Sequence, residues 1–135
     1  MISMFRILFL LLILSTPSWG VSWDDLVYKD GLYYLKSTKT LFTGQVDESL
    51  MKGSIKNGKR TSLEWYHENG QLLEKGKFND QGMTGYWETY YNNGQLWTSG
   101  NYQNNKREGR WFFYHQDGSV HGWTGTYKNG VKVSD

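Results

Sequence analysis

The chain has 135 residues, of which 16 are glycine, 17% are aromatic and none is cysteine. This length allows one domain, and the aromatic content excludes a disordered chain, which lacks the apolar surface that offsets chain entropy. The absence of cysteine excludes a disulfide scaffold, a CxxC zinc site and a thiol nucleophile. A formal net charge of +2 gives no broad basic field, so we expect no nucleic-acid partner.

Residues 1–20 have the pattern of a secretory signal peptide. Arg6 is the only charged residue of this segment, and it precedes an unbroken apolar run, Ile7–Leu14. The small residues Ser18 and Gly20 occupy the −3 and −1 positions of a cleavage site after Gly20. The apolar run is much shorter than the about 20 residues that a membrane-spanning helix needs, which favours a cleavable signal over an uncleaved anchor. The sequence therefore predicts a secreted or periplasmic protein.

The remaining segment, residues 21–135, contains an internal repeat with a period of 24 residues. An Asx-Gly pair marks each of three regular copies, with a large apolar residue and a tyrosine before it and a single glycine after it, and Asp30-Gly31 marks a degenerate first copy. The pairs are Asn69-Gly70, Asn93-Gly94 and Asp117-Gly118; the tyrosines are Tyr66, Tyr90 and Tyr114; the apolar residues are Leu63, Trp87 and Trp111; the later glycines are Gly76, Gly100 and, one place late, Gly125. Such a period indicates stacked supersecondary units, with copies at about 27–46, 53–78, 85–102 and 109–127.

Each copy is predicted to be a β-hairpin, because Asn-Gly between apolar arms is the strongest short hairpin signal. We expect a two-residue type I′ loop with positive φ at both Asn93 and Gly94. The resulting register pairs Tyr91 with Leu96, Tyr90 with Trp97, Thr89 with Thr98, Glu88 with Ser99, Trp87 with Gly100, Leu63 with Gly76 and Glu64 with Lys75. A large ring opposite a glycine can cover its bare backbone. The expected fold is all-β, with consecutive hairpins in a single elongated antiparallel sheet.

Side chains alternate between the two faces of such a sheet. The residues expected on one face are Trp87, Tyr91, Leu96 and Tyr102, and those expected on the other are Tyr90 and Trp97. Both faces therefore carry aromatic rings. Single hairpins are only marginally stable in water, so the units are expected to stack into a continuous core.

The segment Gly85–Tyr102 reads Gly-x-Trp-x-x-Tyr-Tyr-x-Asn-Gly-Gln-Leu-x-x-x-Gly-x-Tyr. It resembles the MORN repeat (membrane occupation and recognition nexus) in its bacterial variant form, and less regular copies cover residues from about 27 to 132. The resemblance implies an elongated, gently twisted antiparallel sheet of hairpins. Eukaryotic members act as scaffolds, and some contact phospholipids or form dimers. Bacterial variant proteins are often assigned as antitoxins, so an antitoxin-like partner of an exported toxin is a remote alternative.

Glu64 and Glu88 share a repeat position and are the candidate catalytic pair, since glycoside hydrolysis uses two nearby carboxylates. Lys75 can neutralise Glu64, and the third copy has Phe112 at this position, which favours a surface ion pair. The sequence contains no G-x-S-x-G elbow and no phosphate-binding P-loop. We therefore expect no enzyme activity and keep a hydrolase that uses Glu64 and Glu88 as the alternative.

His67 and His115 occupy one repeat position, at which the middle copy has Tyr91. A ring that packs and forms hydrogen bonds at a strand end accounts for this pattern. A metal site is disfavoured because the sequence has neither cysteine nor an HExxH motif, and His121 adds no such spacing. We expect neither a metal nor a cofactor.

The recurring aromatic residues are the strongest candidate for a binding surface, because exposed aromatic patches mark contacts with proteins, glycans or membranes. The alternative is that these rings form the core of a thin sheet. The nine residues are Trp65, Tyr66, Trp87, Tyr90, Tyr91, Trp97, Trp111, Tyr114 and Trp123. Basic residues at the joints between hairpins would contact anionic lipid or remain solvated and block edge aggregation. They are Lys56, Lys59, Arg60, Lys106, Arg107 and Arg110.

These observations predict an exported, non-catalytic repeat scaffold that binds a protein partner or a second copy of itself. The alternative is a module that binds envelope glycan or anionic phospholipid. A scaffold predicts an open apolar patch or an unpaired sheet edge. A glycan-binding module predicts coplanar exposed tryptophans, and an enzyme predicts clustered buried carboxylates with shifted pKa values.

Overall fold

A computed structural model describes residues 20–135, so the predicted signal peptide lies outside the described residues except for Gly20. A 3₁₀ turn at Trp23–Asp25 precedes the strands. No helix within residues 20–135 has the length and apolar composition needed to cross a bilayer. The strands are β1 Leu26–Lys29, β2 Leu32–Leu35, β3 Gly44–Asp47, β4 Met51–Lys56, β5 Lys59–Tyr66, β6 Leu72–Asn79, β7 Gly82–Tyr90, β8 Leu96–Gln103, β9 Lys106–Phe113, β10 Gly125–Lys128 and β11 Val131–Ser134.

Strands β3 to β11 form one nine-stranded antiparallel sheet in which every strand pairs with its neighbours in sequence. This confirms the predicted all-β array of consecutive hairpins. The first copy differs, because β1 and β2 pair with each other in a separate two-stranded sheet. Leu26 and Phe42 pack against Val46 and Ile55 in one hydrophobic cluster. Burial of these residues therefore places the small sheet against the large one instead of extending it.

The Asx-Gly turns are not the predicted two-residue loops. Gly94 has a φ of +83°, but the φ of Asn93 is not positive. The Gly94 N–H donates to the Tyr91 carbonyl at 2.9 Å, and the Tyr91 N–H donates to the Gln95 carbonyl at 2.9 Å. These bonds close a three-residue loop, the type that combines a type I turn with a left-handed glycine. The predicted turn type is therefore wrong.

A bulge in β8 then restores the predicted register. Tyr90 pairs with Leu96 and Thr89 with Thr98, so Trp97 is the extra residue between them. The predicted pairs that are wrong lie next to the loop and are Tyr91 with Leu96 and Tyr90 with Trp97. The confirmed pairs are Thr89 with Thr98, Glu88 with Ser99, Trp87 with Gly100, Leu63 with Gly76 and Glu64 with Lys75. The extra loop residue and the bulge cancel each other.

The buried tryptophans join each hairpin to the one before it. Trp87 is the Cα partner of Gly100, as predicted, but its ring covers Gly76, where a Cβ would lie 2.0 Å from two ring atoms. Trp111 in turn covers Gly100, where a Cβ would lie 2.4 Å from its ring. These rings begin a core cluster with Phe113 and Tyr127. The face of the sheet that carries this cluster is called the core face, and the opposite face the outer face.

Asparagine side chains join successive turns at one end of the sheet. Asn93 Oδ1 accepts from the Gln95 N–H at 3.0 Å, and Asn93 Nδ2 donates to the Gln116 carbonyl of the next copy at 3.2 Å. Asn69 Nδ2 makes the equivalent bond to Asn92 at 2.7 Å. Accepting one bond and donating the other requires an amide side chain at the residue before the glycine. This explains why asparagine occupies the position although its backbone is not left-handed.

Replacing Asn93 with aspartate is expected to lower the free energy of unfolding by about 1 kcal/mol, because a carboxylate accepts from Gln95 but cannot donate to Gln116. The control is Asp117→Asn, at the same position of the last copy within the described chain, where we expect a change within about 0.5 kcal/mol. Urea denaturation measures both values. Unchanged stability in Asn93→Asp would show that the bond between copies contributes nothing.

Candidate interaction surfaces

The nine aromatic residues of the predicted binding surface do not lie together. Trp87 and Trp111 are buried on the core face, with Trp111 only 1% exposed, so they cannot form part of an accessible surface as expected. Trp65, Trp97 and Trp123 are exposed. The four partly buried members are Tyr66, Tyr90, Tyr91 and Tyr114. Covering the glycines of the neighbouring hairpin is what buries the first two rings.

Rings at the repeat position of His67 connect neighbouring copies. His67 Nε2 lies 3.0 Å from the Tyr90 carbonyl oxygen. Tyr91, at the same position one copy later, donates its hydroxyl to the Tyr114 carbonyl at 2.9 Å. For His67 and Tyr91, this confirms the interpretation of a packed, hydrogen-bonding ring at the strand end.

Further rings extend this row toward the C-terminal end of the sheet. The rings of Tyr91 and Trp97 lie 5.6 Å apart, so the prediction that they occupy opposite faces is wrong. His115 lies 4.6 Å from His121, and His121 lies 4.5 Å from Trp123, between ring centroids. Within residues 20–135, no group of three or more histidine, cysteine or acidic side chains is arranged to hold a metal ion.

The candidate catalytic carboxylates lie in a row of alternating charge on the outer face. Successive Cα partners across five strands are Asp47, Lys52, Glu64, Lys75 and Glu88. Lys52 pairs with Asp47 at 3.3 Å, and Lys75 pairs with Glu88 at 2.7 Å. Lys75 therefore neutralises Glu88 by direct contact, whereas the sequence predicted Glu64 as its partner. Opposite charges on facing residues stabilise the observed register.

Hydrogen bonds and burial raise the pKa values of three side chains in or near this row. The Tyr66 hydroxyl donates to Glu64 at 2.6 Å, and this bond raises the pKa of Tyr66 above its ordinary value. The hydrogen bond to Glu88 likewise raises the pKa of Lys75. Burial raises the pKa of the Glu74 carboxyl, whose Cα partners are Trp65 and Thr89 and not a second carboxylate.

Three of the basic joint residues pack on aromatic rings, which the sequence did not predict: Arg110 lies over the single ring of Phe112, whereas Arg60 and Arg107 each lie over three rings. Each of the latter two guanidinium groups lies between 4.9 and 5.7 Å from three ring centroids. The rings are Trp23, Tyr33 and Phe78 around Arg60, and Trp111, Phe113 and Tyr127 around Arg107. The sequence did contain a signal for this packing. Arg60, Met83 and Arg107 occupy the second position of β5, β7 and β9, and both arginine and methionine have long side chains that cover apolar surface.

Strand β11 forms a free edge of the large sheet, with β10 as its neighbour among the described strands. Val131 and Val133 are 66% and 59% exposed. Lys132 Nζ donates to the Gly122 carbonyl at 2.9 Å and pairs with Asp135 at 2.6 Å. This edge therefore presents apolar side chains while its lysine is bound to its own chain.

The opposite edge, β3, is partly covered by the segment that precedes the strands. Val21 forms a parallel bridge with Val46, and the Asp47 N–H donates to the Val21 carbonyl at 3.4 Å. The two edges thus differ in their access to another strand.

Comparison with known proteins assigns the repeat. The family model of the MORN repeat variant matches residues 62–80 and 83–104, which contain the β5–β6 and β7–β8 hairpins. The crystal structure of TarM is 19% identical over an alignment that covers 78% of this chain and 21% of TarM, with a TM-score of 0.35. The chain thus spans about a fifth of that protein's length, and no curated protein matches it. Such repeats commonly mediate protein or membrane interactions, and the match identifies the β5–β6 and β7–β8 hairpins as two repeats of the MORN variant type.

Proposed function

We propose that this protein is an exported, non-catalytic repeat scaffold that associates with a second copy of itself through β11. The observation that carries the proposal is the free β11 edge with exposed Val131 and Val133. An edge strand presents unpaired N–H and C=O groups to another chain. Addition of a strand there provides main-chain hydrogen bonds, and the exposed valines provide apolar contacts.

Charges along β11 favour a second copy as the partner. An antiparallel pair of β11 strands can place Lys132 opposite Asp135 of the other copy, and two-fold symmetry repeats this contact. The Asp135 side chain is 99% exposed and pairs with Lys132 of its own chain, and the dimer would exchange this ion pair for the same pair between the two copies. Edge lysines usually prevent such pairing, but here the carboxylate of the other copy offsets the charge of Lys132.

The partly covered β3 edge makes a closed dimer more favourable than a filament. A head-to-tail chain of sheets would need β3 of one copy to pair with β11 of the next. Val21 already occupies part of β3. Pairing of β11 with β11 consumes the β11 edge of both copies, so no third copy can add through β11.

The non-catalytic part of the proposal is supported by the contacts of the candidate carboxylates. Glu88 is paired with Lys75, and Glu64 accepts a hydrogen bond from Tyr66. Lys75 stands between the two glutamates in the row of Cα partners. This alternation supports a role in strand register.

The sedimentation coefficient of the untagged exported protein tests the proposal. We expect a dimer at micromolar concentration and a monomer for the double variant Val131→Lys and Val133→Lys, because four like charges would then meet at the shared edge. The control is Val120→Lys, which adds a lysine at an exposed valine outside β11 and should leave the dimer intact. A monomeric wild-type protein would overturn self-association and favour a glycan or lipid ligand.

Two further readouts complete this experiment. Asp135→Lys should give a monomer, and adding Lys132→Glu should restore the dimer, because the exchange re-creates the opposite-charge contact on both sides.

The intact mass of the protein recovered outside the cytoplasm should correspond to residues 21–135. Recovery of the full-length chain from the cytoplasm alone would contradict export.

A further inference from the structure

A cleft of about 490 Å³ lies between the small β1–β2 sheet and the large sheet. Tyr28 and Tyr33 of the small sheet line one side, and Arg60 and Phe78 of the large sheet line the other. Clefts that hold small molecules typically have volumes of about 300–1,000 Å³. The size and the two-sided lining are therefore suited to a small ligand.

Arg60 brings an unneutralised positive charge to this cleft. None of the salt bridges among the described residues includes Arg60, and its side chain donates one hydrogen bond, from Nη2 to the Tyr33 hydroxyl at 2.5 Å. Its Nε is buried and has no hydrogen-bond partner in the described part of the chain. Lys59, the other cation of the cleft, is paired with Asp80 at 2.7 Å. Since a guanidinium has five N–H donors, Arg60 retains donors for an anion.

Tyr28 provides an open aromatic wall beside this charge. Its side chain is 63% exposed, and its ring lies 4.8 Å from that of Tyr33. The flat face of a tyrosine contacts planar rings and the apolar faces of sugars. Trp87, in contrast, is buried on the core face over Gly76.

A comparison of Arg60 with Arg107 shows which features are found only at the cleft. Arg107 lies over three rings as Arg60 does, and its Nε is also buried without a partner. The hairpin of β1 and β2, however, stands beside Arg60 and contributes Tyr28 to the wall. The departure of the first copy from the regular array thus creates the cleft.

We propose that this cleft binds a small carboxylate carried on a six-membered ring, with the carboxylate on Arg60 and the ring against Tyr28. A guanidinium and a carboxylate form paired, charge-assisted hydrogen bonds, which a lysine cannot reproduce. An acidic sugar and an aromatic acid share this chemistry. The site lies across β5 to β7, separated from β11 by β8, β9 and β10 in the sheet, so its test is independent of dimerisation.

Calorimetric titration of the full exported protein with glucuronate and with benzoate tests the site. We expect saturable binding of one or both acids and none of the neutral counterparts glucose and benzyl alcohol. Binding of glucuronate alone identifies a sugar acid as the ligand, and binding of benzoate alone identifies an aromatic acid. Binding of neither acid, or equal binding of the neutral counterparts, would overturn the proposal, as would equally tight binding of inorganic phosphate.

Matched variants locate the bound anion. Arg60→Met, which introduces the residue found at the equivalent position of β7, Met83, should weaken binding at least tenfold. Arg107→Met removes a guanidinium from an equally aromatic setting and should leave the affinity unchanged. Tyr28→Ala, at an exposed side chain, should also weaken binding while the protein stays folded by circular dichroism. Equal losses in the two arginine variants, or full affinity in Tyr28→Ala, would overturn the assignment.

Discussion

The variant Trp111→Ala is expected to lose about 3–5 kcal/mol of its free energy of unfolding, the cost of removing a large buried ring and leaving a cavity. The ring is 1% exposed and packs 4.9 Å from Tyr102 and 5.9 Å from Phe113. Its indole N–H donates to the Asn101 carbonyl at 2.8 Å, and that acceptor would lose its partner. Because domains of this size are stable by only about 5–15 kcal/mol, the variant is expected to be marginally folded.

Trp97→Ala is the matched control for Trp111→Ala. It deletes the same side chain from the neighbouring strand, but Trp97 is 44% exposed and lies in a bulge. We expect a loss below about 1 kcal/mol, as for most substitutions outside the core. Urea denaturation of both proteins gives the comparison. A similar loss in the two variants would contradict the assignment of the core to the face that carries Trp111.

The second large effect is expected from Gly76→Ala, which should lower the free energy of unfolding by about 1–3 kcal/mol through overpacking. A Cβ at Gly76 would lie 2.0 Å from two atoms of the Trp87 indole, a ring buried on the core face. The sign of the effect is informative, because a glycine-to-alanine change without steric conflict stabilises a protein by about 0.4–1 kcal/mol.

Gly122→Ala is the control for this change, since a Cβ at Gly122 meets no atom within 4 Å. We expect its stability to be unchanged or slightly raised. Combining Gly76→Ala with Trp87→Leu should give a smaller loss than the sum of the single variants, because the smaller side chain makes room for the methyl group. Strict additivity, measured by the same denaturation series, would show that the ring and the glycine are not coupled.

Much of the strand pairing was predictable from the sequence. The 24-residue period and the Asx-Gly pairs predicted consecutive hairpins, and the facing residues Trp87 and Gly100 are paired as expected. These features are local, because a hairpin is specified by the turn and by residues at equal distances on each side of it. The wrong turn type left this register intact, since the extra loop residue is cancelled by the bulge at Trp97.

The candidate surfaces were less predictable, because they depend on contacts between hairpins. The facing pair indicated that Trp87 would cover Gly100, but the ring leans the other way and covers Gly76 of the preceding copy. The spacing put Trp97 on the face opposite Trp87, whose repeat position Trp111 shares, but it did not show which of the two faces is buried. The difference between the buried Trp111 and the exposed Trp97 follows from which neighbouring strand offers a glycine beneath the ring.

The sequence by itself determined the repeat, the strands and most of their register, because these depend on turn residues and on alternation along short stretches of chain. Only the tertiary structure decided which face is buried, which edge is open and where the first hairpin lies. Packing of Leu26 and Phe42 against Val46 and Ile55 removes that hairpin from the array. Such burial joins residues from separate units, so the pattern of any single repeat does not contain it.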